Sequence, residues 1–191
     1  NIEYMQADIL DLEKLEKKFH IIESSGVLHH MEEPLVGLTV LNNCLNDGGL
    51  MKIGLYSEKA RKHVVKIRAE IQALALQPED SQMKLFREQL KTSNSPHHKI
   101  IRSTSDFFSM SDFRDLVFHA QEHRFTISQI KHHLSRLGLS FCGFEGTEVI
   151  SQFKTIYSSR EDLYDLDKWD LFEQQNPWAF VGMYQFWCQK V

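Results

Sequence analysis

The stretch FHIIESSGVLHHMEEP (19–34) predicts a strand, a short loop and the start of a helix. Its apolar centre lies within HIIESS (20–25), which we expect to form the strand. The residues that end this strand are small, namely Ser24, Ser25 and Gly26. Pro34 suits the first turn of a helix, because the N–H that proline lacks has no partner there anyway. The carboxyl end of this strand is therefore a place where a ligand could approach the backbone closely.

Elements on both sides of this stretch alternate between strand and helix. Upstream, residues 2–6 predict a strand and residues 11–18 a short polar helix. Downstream, leucines at spacings of three and four predict a helix, which we expect Asn-Asp-Gly-Gly at 46–49 to stop. The run LMKIGLY (50–56) predicts a further strand. Such alternation indicates parallel strands joined by helical crossovers.

Residues 57–125 differ from this pattern and predict a helical insertion or lid within one domain. Ser57 is a candidate cap for a long helix, and Pro78 separates that helix from a second one. Residues 91–98, KTSNSPHH, have the composition of a loop. Residues 112–120 predict another helix.

The segment FTISQIKHHLSRLG (125–138) carries the clearest local signature. Thr126 and Gln129 have the spacing of a capping box, and Phe125 and Ile130 are placed as its hydrophobic staple. The spacing of the apolar residues predicts a helix with one buried stripe, formed by Ile127, Ile130, Leu134 and Leu137. Two strands are expected after this helix, at 139–146 and 178–191, with a polar and aromatic segment of loop or helix between them.

Composition narrows the class of protein. The chain has 191 residues, of which 42% are hydrophobic and 25% charged, as in an ordinary globular domain. A net charge of −4 argues against a nucleic-acid binder that acts through bulk charge. No apolar run approaches the roughly 18–20 residues that cross a bilayer, and no signal-peptide pattern is present. Three scattered cysteines favour a reducing compartment, so we expect a cytoplasmic protein.

The ordered set of segments resembles the class I S-adenosylmethionine-dependent methyltransferases. ADIL (7–10) is similar to the end of the third family strand, and IIESSGVLHHM (21–31) to the fourth strand and its loop. LNDGGLMKIGLY (45–56) is similar to the helix stop and fifth strand, and LGLSFCGFE and MYQFWCQK to the sixth and seventh strands. The resemblance implies an α/β fold with a partial Rossmann-like sheet of family strands 3–7.

S-adenosylmethionine is the cofactor that this resemblance implies. By family position, Asp8 and Ile9 are expected to contact the adenine, whereas Ser24, Ser25 and Gly26 are expected to lie beneath the cofactor. The Gly-rich loop of the family's first strand and helix has no counterpart in the sequence. We therefore expect a truncated domain that binds the cofactor poorly and is inactive by itself.

The candidate catalytic residues are His29, His30, Glu122 and His123. A base is needed only if the methyl acceptor, whose identity the sequence does not reveal, holds a proton. Residues 118–126 resemble a segment of a bacterial subgroup of these enzymes, which implies a substrate-facing role. The alternative for the same residues is helix capping and salt-bridge formation.

His119, Glu122 and His123 also match the H-x-x-E-H pattern of inverted zinc metallopeptidases. On a helix, the two histidines would be four residues apart and could reach one metal ion. A third ligand has no defined position in the sequence, so we expect the chain to carry no structural or catalytic zinc. A metallopeptidase is thus a remote alternative to the methyltransferase.

The strand at 20–25 raises a problem of pairing. The family sheet has the order 3-2-1-4-5-7-6, so this strand would lack its usual neighbour and leave an exposed edge. We expect the strand at 2–6 to move beside it, which gives the order 3-4-5-7-6. We also expect a homodimer, formed through an exposed sheet edge or an apolar face. A non-catalytic interaction domain derived from a methyltransferase is the remaining alternative.

Overall fold

A computed structural model describes residues 2–119 and 121–191, which form two compact units. The first unit contains the chain up to residue 60 and again from residue 123, and the second contains residues 61–122. In chain order, the strands and α-helices are β1 (Phe19–Ser25), α1 (Pro34–Asn43), β2 (Leu45–Tyr56), α2 (Lys62–Ala73), α3 (Asp80–Thr92), α4 (Pro96–Arg102), α5 (Met110–Val117), α6 (Ile127–Arg136), β3 (Leu139–Phe144), α7 (Thr147–Lys154), α8 (Leu166–Gln175) and β4 (Met183–Lys190). Short 3₁₀ helices lie at Ile9–Leu15, Leu28–His30, Ser105–Phe107 and Glu161–Tyr164.

The first unit contains a four-stranded sheet with the order β1-β2-β4-β3. β1 runs parallel to β2, whereas β4 is antiparallel to both β2 and β3. This order matches the 4-5-7-6 part of the family sheet and confirms the predicted α/β fold. The outer edge of β1 pairs with no strand among the described residues.

One face of this sheet is buried and forms the main core. Alternate residues of β2 and β4 point into it and are nearly inaccessible, namely Met51, Ile53, Leu55, Tyr184, Phe186 and Cys188. Helix α6 covers them with an apolar stripe, which is the stripe the sequence predicts. The segment that the sequence left open contains α7 and α8, whose Phe153 and Trp169 rings stack with centroids 3.7 Å apart. Aromatic side chains therefore fill the end of the core that these two helices cover.

The predicted strand at 2–6 is wrong. Residues 2–8 are irregular, and the side chain of Tyr4 is 91% exposed. Alternating polarity produces a strand only where a neighbouring strand supplies hydrogen bonds, and these residues have no such partner. The predicted order 3-4-5-7-6 is therefore wrong as well, and no counterpart of family strand 3 is present in the described chain.

The predicted helix stop at 46–49 is also misplaced. Helix α1 ends at Asn43, and β2 already begins at Leu45. The β1–β2 register shifts within these residues, from Phe19 opposite Leu45 to Ile21 opposite Leu50. Gly48 has a φ of +73° there. Glycine accepts this left-handed conformation in a strand irregularity as readily as at a helix end, so the sequence pattern fits both.

The second unit consists of α2–α5 around its own apolar core. Its buried residues include one face each of α2 and α3, namely Val64, Ile67, Ile71, Met83, Phe86 and Leu90. Helix α2 begins at Lys62 and not at Ser57, and the predicted loop at 91–98 instead contains the start of α4. Pro96 is placed in the first turn of α4, where its missing N–H removes no helical bond. The last residue of the predicted helix at 112–120 lies outside the described residues.

The two connections between the units leave from adjacent positions of the first unit. Ser57 and Phe125 form an isolated parallel bridge, and the Glu58 N–H donates to the Phe125 carbonyl at 2.8 Å.

None of the helices within the described residues combines the length and the apolar character needed to cross a membrane.

The capping box at the start of α6 is confirmed. The Thr126 Oγ1 accepts from the Gln129 N–H at 3.2 Å, and the Gln129 Oε1 accepts from the Thr126 N–H at 2.8 Å. Phe125 and Ile130, the predicted staple, are both buried.

Replacing Thr126 by alanine removes the cap, and we expect the free energy of unfolding to fall by about 0.5–2 kcal/mol. Denaturant titration measures this change. Thr147→Ala is the matched control, because Thr147 is exposed in the first turn of α7, where Gly146 occupies the cap position. A loss for Thr126→Ala no larger than for the control would contradict the role of the cap.

Candidate functional site

The carboxyl end of β1 lies beside the carboxyl end of β2 and the start of β4. Ser25 is opposite Gly54, and Tyr56 is opposite Met183. The Ser25 Oγ lies 3.9 Å from the Met183 Sδ. A Cβ on Gly54 would come within 2.5 Å of the Ser25 Oγ, so only glycine allows this close approach. Parallel strands place ligands at this edge of a sheet, so this is where a site is expected.

Ser24 and Gly26 flank this position with two features that suit a ligand. The Ser24 side chain is 6% exposed, and its Oγ has no hydrogen-bond partner among the described residues. A buried hydroxyl without a partner is costly, which makes it a natural place for a bound polar group. Gly26 has a φ of +76°, and a Cβ there would meet nothing within 4 Å. Open space therefore adjoins the backbone at the end of β1.

Three histidines gather at the end of β2. The His29 ring is fully buried and stacks on Tyr56, with centroids 3.7 Å apart and planes inclined by 25°. The His30 ring meets Tyr56 edge-on at 5.7 Å. The His123 N–H donates to the His29 carbonyl at 2.8 Å. Three of the four predicted catalytic residues thus lie close together, and Tyr56 is the member that the sequence did not single out.

Glu122, the fourth predicted catalytic residue, lies in the second unit and has a fully buried side chain. Its carboxylate accepts from Arg61 Nε at 3.1 Å and Nη2 at 2.7 Å, and from Arg68 Nη1 at 3.2 Å. The two guanidinium groups hold this carboxylate in place through three hydrogen bonds. This contact matches the salt-bridge alternative for the residue.

The H-x-x-E-H pattern does not have the geometry that a metallopeptidase requires. Helix α5 ends at Val117, and His119 and residues 121–124 lie outside helices. The two histidines therefore do not share a helical turn, and Glu122 is occupied by arginines. The metallopeptidase alternative is wrong for this reason.

Asp8 and Ile9 have local roles in the structure. The Asp8 Oδ1 accepts from the Leu10 N–H at 2.8 Å and caps the 3₁₀ helix Ile9–Leu15. The Ile9 side chain is partly buried against the core of the first unit. Their expected position at the end of a third strand is not observed, because that strand is absent from the described residues.

A buried polar cluster that the sequence analysis did not predict holds the chain in place just after β2. The Glu173 Oε1 accepts from the Ser57 Oγ at 2.8 Å and from the Tyr184 OH at 2.7 Å. The Lys59 Nζ lies 3.4 Å from the other carboxylate oxygen. Burial, reinforced by Glu173, raises the pKa of Tyr184 far above its usual range, so its hydroxyl stays a donor. Glu173 lies on the buried stripe of α8, where a sequence pattern predicts an apolar residue.

An open cleft of about 1300 Å³ adjoins the end of β3 and the start of β4. Met183, which contacts Ser25, is one of its lining residues. Glu145 lies at its wall, where a hydrogen bond from the Trp187 Nε1 at 2.7 Å, together with Lys52 at 3.1 Å, lowers the pKa of its carboxyl. The cleft therefore combines polar and apolar lining residues with a carboxylate that stays charged at neutral pH.

Known proteins share this architecture. No family model matches the chain. PKMT2 from Rickettsia typhi has a TM-score of 0.62 and 17% identity over 95% of this chain and 37% of its own length. The same protein in complex with AdoHcy also has a TM-score of 0.62, at 16% identity and with the same coverage. The chain has a class I methyltransferase fold.

A sequence relative extends this comparison. An uncharacterised protein of Synechococcus sp. is 27% identical in an alignment 188 positions long, which covers 90% of this chain and 43% of that protein. The chain thus spans less than half the length of this protein and of PKMT2.

The adjacent serines at the end of β1 provide a test of the unpaired hydroxyl. We expect Ser24→Ala to raise the free energy of unfolding by about 1 kcal/mol, because it removes a buried polar group without a partner. Ser25→Ala is the matched control on the exposed face, and its effect should stay within about 0.5 kcal/mol. Denaturant titration compares them, and a destabilised Ser24→Ala variant would reveal a structural partner for the hydroxyl.

Proposed function

We propose that the chain acts in methyl transfer from S-adenosylmethionine, and that residues 24–26 form one wall of the cofactor site. The observation that supports this proposal is made at the carboxyl end of β1. There the Ser24 hydroxyl, which has no hydrogen-bond partner among the described residues, lies close to the open space beside the Gly26 backbone. Both features fit a polar ligand that approaches the main chain. The related PKMT2 was solved with AdoHcy, the demethylated form of this cofactor, which supports the choice of ligand.

S-adenosylmethionine supplies an electrophilic methyl group on a sulfonium. The chain's own contribution is to orient an acceptor whose lone pair forms the new bond to carbon while the carbon–sulfur pair returns to sulfur. Alignment of this kind accounts for much of the rate in displacements. His30 is half-buried beside Tyr56, and His123 adjoins through the main chain, so we assign these imidazoles to take a proton from the acceptor. The buried His29 holds Tyr56 in place by stacking.

The acceptor is assigned to the cleft that begins at Met183. Met183 lines this cleft and contacts Ser25, so an acceptor bound beside Met183 would lie near the end of β1. The charged Glu145 at its wall favours a cationic or hydrogen-bond-donating acceptor over an anionic one.

The Gly-rich loop that the family uses is missing from this sequence, so we expect weak cofactor binding by the chain alone. Titration of AdoHcy, followed by NMR of the backbone amides, should shift the signals of residues 24–30 with a dissociation constant on the order of 1 mM or weaker. Micromolar affinity would contradict the expectation of a partial site. If the amide signals of residues 24–30 did not shift even at the solubility limit of AdoHcy, that result would contradict the proposed function itself.

Two glycines supply a matched pair for this titration. Gly26 and Gly48 have φ values of +76° and +73°, and at both a Cβ would meet nothing within 4 Å. Alanine should therefore strain the backbone equally at the two positions, by roughly 1 kcal/mol. Only Gly26→Ala should weaken AdoHcy binding, because Gly48 lies at the opposite end of β2.

A second candidate function is protein association through β1. Its outer edge has no strand partner among the described residues, and Ile21 is 62% exposed on the open sheet face. An exposed apolar edge promotes pairing with another chain. We propose a homodimer at this edge.

Sedimentation at increasing protein concentration tests the dimer. We expect Ile21→Lys to shift the population towards monomer, because a buried lysine opposes edge pairing. Leu85→Lys is the matched control, since Leu85 is 61% exposed on α3 of the second unit. A wild-type chain that stays monomeric throughout, or equal effects of the two substitutions, would overturn this proposal.

A further inference from the structure

We propose that Glu70, His97 and His98 form a Zn²⁺ site in the second unit. Glu70 lies on α2, and the two histidines lie in the first turn of α4. The His97 Nε2 is 2.5 Å from the Glu70 Oε1, and the His98 Nε2 is 2.7 Å from the Glu70 Oε2. Within the described chain, this is the group whose nitrogen and oxygen donors converge closely enough to share one ion.

The distances between the donors suit a small metal ion. One donor atom from each residue lies within 4.8 Å of the other two. Bonds of about 2.0–2.1 Å in a tetrahedral site place neighbouring ligands about 3.3–3.4 Å apart. Small rotations of the side chains would therefore convert two short hydrogen bonds into two metal–nitrogen bonds and one metal–oxygen bond. The carboxylate keeps its charge, and each imidazole binds through the Nε2 lone pair of its neutral form with the remaining proton on Nδ1. The proton that Nε2 donated to Glu70 moves to Nδ1 or is released to water.

A hydroxyl behind His98 fixes the orientation that such a site needs. The Ser93 Oγ lies 2.6 Å from the His98 Nδ1 and also accepts from the Ser95 N–H at 3.2 Å. When a metal ion displaces the proton that Nε2 shares with Glu70, the neutral imidazole keeps its proton on Nδ1 and donates it to the Ser93 Oγ. Metal-binding histidines are commonly held by a hydrogen bond on the other ring nitrogen. The ring of His98 is thus arranged in the way that a ligand requires.

The chemistry of the three donors favours zinc. Two imidazoles and one carboxylate form a mixed nitrogen and oxygen set that suits Zn²⁺ better than the hard cations Mg²⁺ and Ca²⁺. Three protein ligands leave a fourth position for water. The His97 side chain is 17% exposed and that of Glu70 36% exposed, so an ion can reach the cluster from solvent.

Zinc at this position would stabilise the second unit by linking α2 to α4. Both helices contribute to the same apolar core, so the ion would join elements that already pack together. A ligand that binds only the folded state raises stability with its concentration. Such a site departs from the expectation of no zinc, which considered only the H-x-x-E-H pattern at 119–123.

Titration with Co²⁺ and competition with Zn²⁺ test the proposal on the whole chain after treatment with a chelator. We expect one equivalent of Co²⁺ with the visible absorption of a tetrahedral site, displaced by one equivalent of Zn²⁺. Glu70→Gln and His97→Gln should abolish this absorption, and Ser93→Ala should weaken binding about 10–100-fold. His132→Gln is the matched control, because His132 belongs to another adjacent histidine pair, on α6, and is exposed.

Thermal unfolding gives a readout that is independent of absorbance. Zn²⁺ should raise the melting temperature of the wild-type chain and of His132→Gln, and should leave that of Glu70→Gln unchanged. Circular dichroism verifies that each variant is folded. We chose His97 for substitution because it is more exposed than the buried His98. Absence of tetrahedral Co²⁺ absorption in the wild type would overturn the proposal. Zinc binding by the Glu70 or His97 variant with the affinity of the wild type would overturn it as well.

Discussion

The parallel pairing of β1 with β2 is the constraint on which the rest of the first unit depends. It places Ser25 against Gly54 so closely that no side chain fits on the glycine, and it aligns the carboxyl ends of the two strands. Because β2 also pairs with β4, the same register positions Tyr56, Met183 and the start of the cleft. The candidate site is thus a consequence of strand register and not of any one loop. A shift of one residue would exchange the buried and exposed faces.

Local patterns predicted the elements whose partners are near in sequence. The capping box at Thr126 and the apolar stripe of α6 are found in the structure, and so is the 4-5-7-6 part of the strand order that the family resemblance implies. The strand at 2–6 failed because pairing depends on a distant neighbour, which a pattern of alternation cannot reveal. The glycines at 46–49 were misread for a related reason, since the left-handed conformation serves a helix end and a strand irregularity alike.

The candidate site, like the fold, contains some residues that the sequence could predict and others that it could not. His29, His30 and the small residues at the end of β1 could be proposed from the sequence because ligands commonly bind at the carboxyl ends of parallel strands. Glu122 could not be assigned, because its role depends on Arg61 and Arg68, which are more than fifty residues away in the chain. Glu173 was missed because a carboxylate on a buried helix stripe is accommodated only by the particular hydroxyls of Ser57 and Tyr184. Convergence of side chains from distant positions carries no local signature.

The ion pair between Arg61 and Glu122 joins the first and last residues of the second unit. On the side of the first unit, the bridge between Ser57 and Phe125 likewise brings together the points where the chain leaves and returns. Each unit therefore has neighbouring ends, as in proteins where one domain is inserted into another. Such a joint tolerates exchange of the inserted piece, because a short linker between Ser57 and Phe125 could close the sheet-bearing unit without altering its strands. The helical unit is in this sense a replaceable module, free to diverge in sequence while the sheet retains its register.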